Sequence, residues 1–391
     1  MHRDEVVWAG DDHGGQEGST SIIQRVRGAL EPVFQPRSLV RLVQHPVARI
    51  SDTSGKHCAV PLLRLLQKAW LPAVIGHGSG TGIGGEINWM RQAVSRTAAF
   101  VALYRAIESS RSATTRLFED PFAPAFLEWR VRWALYLSRL PVVGAALPWS
   151  LIDGHWPGPR GTVAVRTRYI DDVLGEALRS GVDQVVILGA GFDSRAYRIR
   201  GIEQTRVFEV DHPATQAKKK RIITGRLGTL PPHVTLVPID FSTHTLDTVM
   251  PGSGYQRDAK TFFICEGVTH YLSAHAVDAV FRYVARSAAV GSQMVFTYIH
   301  RGILDGSVTF VGADKSLATV RRAGEPYTFG FDPVELPQYL AVRNLILIED
   351  VGASAYRERY LMPLGRGQQQ LAEFQRAALV KSVRLSLEES A

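Results

Sequence analysis

The chain has 391 residues, carries a net charge of +8, and is 45% apolar and 21% charged. These values fit one large or two ordinary globular domains with a sizeable core, and they are not those of a disordered or fibrous protein. The two cysteines, Cys58 and Cys265, lie too far apart for a metal or redox motif. No disulfide framework is therefore expected, and a cytoplasmic location is predicted.

The first 85 residues contain prolines without clear apolar periodicity, and they lack the apolar core of a signal peptide. They end in a stretch, 76–85, in which six of ten residues are glycine. No Gly-Lys-Ser/Thr follows, so this stretch is a predicted flexible linker and not a phosphate loop. We predict a poorly ordered N-terminal extension over 1–85, followed by a helical cap over 86–180 and an α/β domain over 181–391.

Three helices are predicted in the cap. Residues 86–109 have helical spacing, Asp120-Pro121 is typical of a helix start, and 162–181 is a helix closed by Gly181. The most apolar region, 135–149, is interrupted by a charge and a proline and is too short to cross a bilayer. No membrane partner is therefore expected.

Strands and helices alternate after Gly181, which predicts a doubly wound α/β sheet. The strand candidates of this part of the chain are 184–188, 206–210, 234–238, 261–265 and 292–299. Near the end, 344–352 and 358–364 are two further strand candidates separated by a short turn. They predict a closing antiparallel hairpin.

Four features follow successive strands, at the edge where ligands of open α/β sheets bind. Gly189-Ala190-Gly191 forms a glycine turn after the first strand, and Asp211 ends the second, where a carboxylate can accept from both ribose hydroxyls. Asp240 and Phe241 end the third strand. There the acidic side chain can accept a hydrogen bond from an exocyclic amine, and the aromatic ring can cover an adenine face. Glu266 ends the fourth. Together they predict an adenosine cofactor.

Two cofactor classes fit these features. A nicotinamide dinucleotide prefers a third small residue and a turn free of negative charge, but the chain has Ser194 and Arg195 there and Asp193 in the turn. S-adenosylmethionine has no phosphates and suits an acidic turn better. Its carboxylate could pair with Arg166, which lies on the apolar stripe of the third helix. The alternative is that Arg166 extends to water, and spacing alone leaves both open.

Seven motifs in this order resemble the leucine carboxyl methyltransferase superfamily, and in particular its bacterial branch of S-adenosylmethionine-dependent O-methyltransferases. The resemblance covers residues 93–363 and rests on SRTAAFVALYRAIES, LFEDPFA, VAVRTRYIDD, VVILGAGFDSRAYRI, FEVDHPATQ, PIDF and CEGVTHYL. It implies a class I methyltransferase fold: a seven-stranded, mostly parallel sheet with a reversed last strand and an N-terminal helical cap. It also implies S-adenosylmethionine as the cofactor.

The resemblance assigns roles to individual residues. By this resemblance, Arg166 binds the cofactor carboxylate and Asp211 binds the ribose. Glu266 lies near the cofactor amino group. Gly189 and Gly191 form the cofactor turn, with Asp240 and Phe241 at the adenine. Arg105 matches a basic residue of the N-terminal helices only weakly, because its spacing to the next motif differs.

The predicted acceptor is a carboxylate or an acidic hydroxyl of a small molecule. His270 and Tyr271 follow Glu266 at the sheet edge and are the candidate catalytic residues, with ordinary loop packing as the alternative. Arg105, Arg195 and Tyr271 are candidate clamps for an acidic acceptor. The segment 324–332 is either a lid over the substrate or a structural loop.

Other classes of partner are not predicted. The histidines show no ligand spacing, so no metal site is expected. The basic run Lys218–Arg221 fits a solvated helix face better than a phosphate or nucleic-acid site, because the other basic residues are scattered. A NAD-dependent oxidoreductase and a non-catalytic S-adenosylmethionine-binding protein remain as alternatives. The identity of the acceptor and the oligomeric state are left open.

Overall fold

The computed structural model describes residues 96–137, 158–241, 243–322 and 324–383. All of them belong to one compact unit, Ala59–Ala391. The predicted extension over 1–85, including its glycine-rich linker, lies outside the described residues, as does the start of the first predicted helix. Within the described ranges, no helix combines the length and apolar character needed to span a bilayer.

One seven-stranded sheet organises the described part of the chain, in the order β3-β2-β1-β4-β5-β7-β6. The first five strands pair in parallel, whereas β7 runs antiparallel to both β5 and β6. The strands are β1 (Gln184–Leu188), β2 (Arg206–Asp211), β3 (Val234–Pro238), β4 (Thr261–Cys265), β5 (Gln293–Ile299), β6 (Leu345–Val351) and β7 (Gln375–Ser382). This confirms the predicted class I methyltransferase sheet with its reversed last strand.

The central strands have nearly continuous apolar sequences because both faces of the sheet are covered by other elements. Every residue of β1 is buried. Its side chains alternate between two cores: Val186 and Leu188 pack in one, and Val185 and Ile187 pack in the other.

Helices cover both faces and one edge of the sheet. The longer described helices are α1 (Arg96–Ser109), α2 (Trp129–Leu137), α3 (Pro159–Arg179), α4 (Pro213–Leu227), α5 (Ala274–Arg286), α6 (Ala313–Arg322) and α7 (Leu336–Ala341). Short helical segments cover Ala123–Phe126, Arg195–Arg198, Ile202–Gln204, Leu246–Val249, Pro251–Ser253, Thr269–Tyr271, Gly302–Asp305, Ala353–Tyr356, Arg357–Leu361 and Met362–Leu364.

The second predicted helix of the cap is interrupted. A helical segment does begin shortly after Asp120, at Ala123, and Oδ1 of Asp120 accepts hydrogen bonds of 2.9 Å from the backbone N–H groups of Phe122 and Ala123. However, this segment is a single 3₁₀ turn, and α2 begins only at Trp129.

The closing hairpin was predicted incorrectly. The segment 358–364 is helical, and the antiparallel partner of β6 is β7, much later in the chain. The side chain of Leu361 is fully buried in the core on the α3 face of the sheet. β7 instead inserts between β5 and β6, where Ala377, Ala378 and Val380 are fully buried.

The cap helix α1 lies against the carboxyl end of β1. Leu103 and Ile107 of α1 share a hydrophobic cluster with Phe192, which follows the glycine turn, and with Ile223 of α4. The cap is therefore packed onto the turn where a ligand is expected.

Candidate functional site

The glycine turn after β1 requires glycine for two reasons. Gly189 and Gly191 have φ values of +62° and +42°, which L side chains rarely adopt. A Cβ on Gly189 would lie 2.3 Å from Cγ2 of Val268, and one on Gly191 would lie 3.2 Å from Cβ of Ala98. The turn thus lets the backbone line a cavity that larger residues would close.

Asp211 at the end of β2 faces the same turn. Its carboxylate accepts hydrogen bonds from the backbone N–H groups of Gly191 and His212. Burial raises the pKa of Asp211, while these two donors oppose that shift. The carboxylate lines the cavity, and its remaining lone pairs can accept from ligand hydroxyl groups.

We call this space the cofactor cavity; its volume is about 440 Å³. Five residues predicted from the sequence line it, namely Arg166, Gly189, Gly191, Asp211 and Glu266. Its other described lining residues are Thr97, Ala98, Val101, Arg105, Ile187, Leu188, Ala190, Phe192, Asp193, Gly267, Val268, Tyr271, Leu272, Gly324, Glu325, Pro326 and Thr328.

Asp240 and Phe241 are not among these lining residues. They follow the end of β3, where the Asp240 carbonyl accepts from the backbone N–H groups of Thr243 and His244. Phe241 packs against the core on the α5 face of the sheet. Their contact with an adenine ring stays a prediction.

Glu266 joins two arginines beneath the cofactor cavity. Its Oε1 accepts from Nε of Arg166 at 2.8 Å, and its Oε2 accepts from Nη1 of Arg195 at 2.7 Å. Burial opposes ionisation of Glu266, but the two guanidinium groups hold its pKa below the ordinary value. Arg166 also donates from Nη1 to Gln375, and its Nη2 has no hydrogen-bond partner among the described residues.

Arg195 is fully buried and bridges three carboxylates, those of Asp171, Asp193 and Glu266. The charge of Asp193 is therefore neutralised. Burial alone would raise the pKa of Asp193, but the guanidinium of Arg195 holds it below the ordinary value. The sequence argument from an acidic turn is wrong in this respect, because the turn carries no free negative charge. Arg195 is also unavailable as a clamp for a substrate.

Arg105 is likewise committed to the protein interior. It is buried, pairs with Asp120 at 3.3 Å, and donates to the carbonyl of Phe192. Asp120 also accepts from Ser194 at 2.7 Å, and Arg105 and Arg198 hold its pKa below the ordinary value despite burial. Arg105 lines the cofactor cavity, but its charge is paired within the protein, where it holds α1 to the turn.

Tyr271 lies at the junction with a second, smaller cavity, and His270 lines this second cavity but not the cofactor cavity. The His270 side chain is buried, and its Nδ1 has no hydrogen-bond partner. Burial and the nearby Arg166 lower the pKa of His270 to about 3. Its ring lies 4.4 Å from that of Tyr271 and 4.8 Å from that of Tyr327, and the Tyr271 hydroxyl lies 3.3 Å from Oγ1 of Thr97. At neutral pH the imidazole is therefore uncharged.

We call the second space the side cavity; its volume is about 120 Å³. It shares Thr97, Val101, Arg166, Gly267 and Tyr271 with the cofactor cavity. Its other described lining residues are Phe100, Tyr104, Pro159, Val163, His270, Ser316, Thr319, Val320, Tyr327 and Gln375.

Some residues around the site were not identified from the sequence. Lys219, inside the run predicted as a solvated helix face, is buried; its Nζ donates to Glu209 at 2.9 Å and to the carbonyl of Ala190 at 3.3 Å. Lys219 thus supports the glycine turn from below. The segment 324–328 lines both cavities, and Glu325 accepts a hydrogen bond from Thr97. No periodic signal distinguishes such long-range contacts in a sequence.

These residues fit S-adenosylmethionine. Asp211 offers acceptor lone pairs to ribose hydroxyls, and Nη2 of Arg166 is left for a ligand carboxylate. Glu266 lies in the same cavity as a carboxylate for an amino group. Among the described residues, no group of three or more His, Cys, Asp or Glu side chains is placed to hold a metal ion.

Comparison with known proteins identifies the family. A family model described as leucine carboxyl methyltransferase matches residues 98–285. A Streptomyces coelicolor protein, named as a candidate S-adenosyl-L-methionine-dependent methyltransferase, is 34% identical over 56% of this chain and 75% of its own length. A Frankia alni protein of the same description is 34% identical over 54% of this chain and 70% of its own.

A solved structure of a DUF574 family protein from Streptomyces avermitilis covers 73% of this chain and 97% of its own, with a TM-score of 0.48 and 11% identity. The motifs, the sheet with its reversed last strand and the relatives agree with one another. The chain belongs to the leucine carboxyl methyltransferase family, among its bacterial relatives, and is an S-adenosylmethionine-dependent methyltransferase.

Proposed function

We propose that the protein transfers a methyl group from S-adenosylmethionine to a carboxylate oxygen of a small molecule, with an acidic hydroxyl as the second candidate acceptor. The observation that carries this proposal is the junction of the two cavities, which Thr97, Tyr271 and Arg166 all line. Among the described residues, no carboxylate lines the side cavity. This environment favours an anionic oxygen over an amine.

The chemistry of the acceptor agrees with the state of His270. Bound S-adenosylmethionine would supply the methyl group of its sulfonium. Transfer of this group to a carboxylate oxygen gives a methyl ester and S-adenosylhomocysteine, and no proton has to move. A carboxylate is already ionised at neutral pH, since its pKa is near 4. The protein's task is then to align the oxygen, and a buried histidine with a pKa of about 3 is sufficient because no base is needed.

A hydroxyl acceptor is favoured by a different observation, the unpartnered Nδ1 of His270. His270 lines the side cavity, and in the tautomer that leaves Nδ1 unprotonated this atom has a lone pair for a hydroxyl donor. Full proton transfer from an ordinary phenol is opposed, however, because its pKa of about 10 exceeds that of His270 by about 7 units, or roughly 9 kcal/mol. The hydroxyl must therefore be acidic enough to ionise by itself.

The proposed partner is a small molecule, and neither nucleic acid nor membrane is part of the proposal. The proposed location is the cytoplasm, on the ground that the two cysteines are far apart in the sequence.

Methyl release from isotope-labelled S-adenosylmethionine, over a panel of carboxylic acids, phenols and amines, tests the function. A base-labile product marks an ester. His270→Ala is expected to leave carboxyl methylation nearly intact, whereas a loss of roughly 10²–10⁴-fold in phenol methylation would show that His270 acts as a base after all.

A base-stable product on an amine would contradict the proposed acceptor. Cofactor binding without turnover on any acceptor would favour the non-catalytic alternative. Tight binding of NAD by calorimetry would favour the oxidoreductase.

A further inference from the structure

The side cavity is walled by apolar faces of three helices. From α1 come Phe100, Val101 and Tyr104, which lie on one face because they are three or four residues apart. Val163 of α3 and Val320 of α6 add to this apolar wall, and α6 also contributes the hydroxyl groups of Ser316 and Thr319. Most of the wall is therefore apolar, and it can cover an apolar body better than a polar chain.

The charges of the side cavity are confined to one end. Arg166 is the one cation that lines it among the described residues, and it lies at the junction with the cofactor cavity. The buried His270 is uncharged at neutral pH. A ligand with an apolar body and a single anionic end can therefore be placed in only one orientation, with the anion toward the cofactor.

The volume limits the size of the apolar body. A cavity of about 150 Å³ lined by aliphatic and aromatic side chains holds one benzene molecule. The side cavity measures about 120 Å³, somewhat less than this, and shares lining residues with the cofactor cavity at the junction, so a single six-membered ring is the largest apolar body that it would hold. A fused second ring would overlap the walls.

We propose that the side cavity is the acceptor site and that it takes a single-ring carboxylic acid, with the ring between Val163 and Val320 and the carboxylate at the Tyr271 hydroxyl, within the field of Arg166. This inference rests on the proposed function and adds the class of acceptor.

Titration calorimetry on the full chain saturated with S-adenosylhomocysteine tests this inference. The probes are benzoate, 2-naphthoate and benzylamine. We expect benzoate to bind, 2-naphthoate to bind at least tenfold more weakly, and benzylamine to give no heat.

Val320 allows the volume to be changed without altering the cofactor cavity, which it does not line. Its side chain is half-buried, so Val320→Phe can enter the side cavity while the helix remains folded. This variant is expected to bind benzoate at least tenfold more weakly, whereas Val320→Ala is expected to reduce the discrimination against 2-naphthoate. Val334→Phe is the matched control, because Val334 is 87% exposed and lines neither cavity.

The outcomes separate this inference from the proposed function. Equal binding of benzoate to the wild type and to Val320→Phe, or no binding of benzoate at all, overturns the inference. If long-chain or bicyclic acids are nonetheless esterified, the proposed function stands. Unchanged affinity of Val320→Phe for S-adenosylhomocysteine shows that a loss of benzoate binding is not a folding defect.

Discussion

Arg195→Met should strongly destabilise the protein, because it removes a cation from among buried carboxylates. The guanidinium group of Arg195 is fully buried and pairs with Asp171, Asp193 and Glu266 at 2.5–2.8 Å. Methionine is of similar length and apolar, so it leaves little empty space. The substitution therefore isolates the loss of charge from the loss of volume.

The size of the expected loss of stability depends on which partners each carboxylate keeps after Arg195 is replaced. Asp171 keeps Arg198, and Glu266 keeps Arg166. Asp193 keeps only the backbone N–H of residue 195 as a direct partner. Breaking a buried ion pair from one side lowers the free energy of unfolding by about 3–5 kcal/mol, and we expect a loss in this range at pH 7.5.

Urea unfolding of the full chain at pH 7.5 and pH 5 measures this loss. In the wild type the arginines hold the pKa values of Asp193 and Glu266 low, so their contribution is present above the unfolded pKa near 4 and is lost as pH falls through the lowered folded values. Without Arg195, burial raises these folded pKa values. Protonation then stabilises the variant, and its deficit should shrink at pH 5.

Two further variants serve as controls. Arg301→Met removes a surface cation that pairs with Glu335, and less than about 1 kcal/mol is expected. The double substitution Arg195→Met/Asp193→Asn removes the orphaned charge and should recover a large part of the loss. A deficit of Arg195→Met below 1 kcal/mol, or one that is the same at both pH values and is not relieved by Asp193→Asn, would refute the reasoning.

Three other predictions concern the cofactor turn and the side cavity. Asp211→Asn should weaken binding of S-adenosylhomocysteine by about 1–3 kcal/mol in calorimetry, because ligand hydroxyls lose a charged acceptor; an unchanged affinity would contradict the role of Asp211. Gly189→Ala should lower that affinity at least tenfold, since its Cβ would lie 2.3 Å from Val268, whereas Gly181→Ala, which has a similar φ but no atom within 4 Å, should leave the affinity unchanged. His270→Gln should make the free energy of unfolding depend less on pH below 6.5. A histidine with a folded pKa of about 3 and an unfolded pKa near 6.5 takes up a proton on unfolding. The free energy of unfolding of the wild type should therefore fall by about 2 kcal/mol between pH 6.5 and pH 5 from this group alone.

The sequence predicted the sheet well because each central strand is a self-contained signal. β1 and β4 are continuous apolar runs that end at Gly189 and Glu266, and such runs are typical of strands covered on both faces. The lining residues Gly189, Asp211 and Glu266 followed from the same rule, since the carboxyl ends of parallel strands meet at one edge.

The same local rules failed where long-range contacts decide the structure. The segment 358–364 has the composition of a strand but is helical, because β7 occupies the place beside β6. The uncharged state of His270 depends on burial beneath Tyr327 and on Arg166, which are distant in sequence. The neutralisation of Asp193 likewise depends on a folded arginine cluster.

The position of Arg166 couples the two cavities. Its Nε and Nη1 are held by Glu266 and Gln375, which leaves Nη2 as the part of the guanidinium that can meet a ligand. Arg166 lines both cavities, so under the proposed function the cofactor carboxylate and an acceptor carboxylate would approach the same cation. When Nη2 is engaged by the cofactor and the Thr97 hydroxyl donates to Glu325, the proposed acceptor carboxylate would take its direct hydrogen bond from the hydroxyl of Tyr271, with Arg166 contributing through its field.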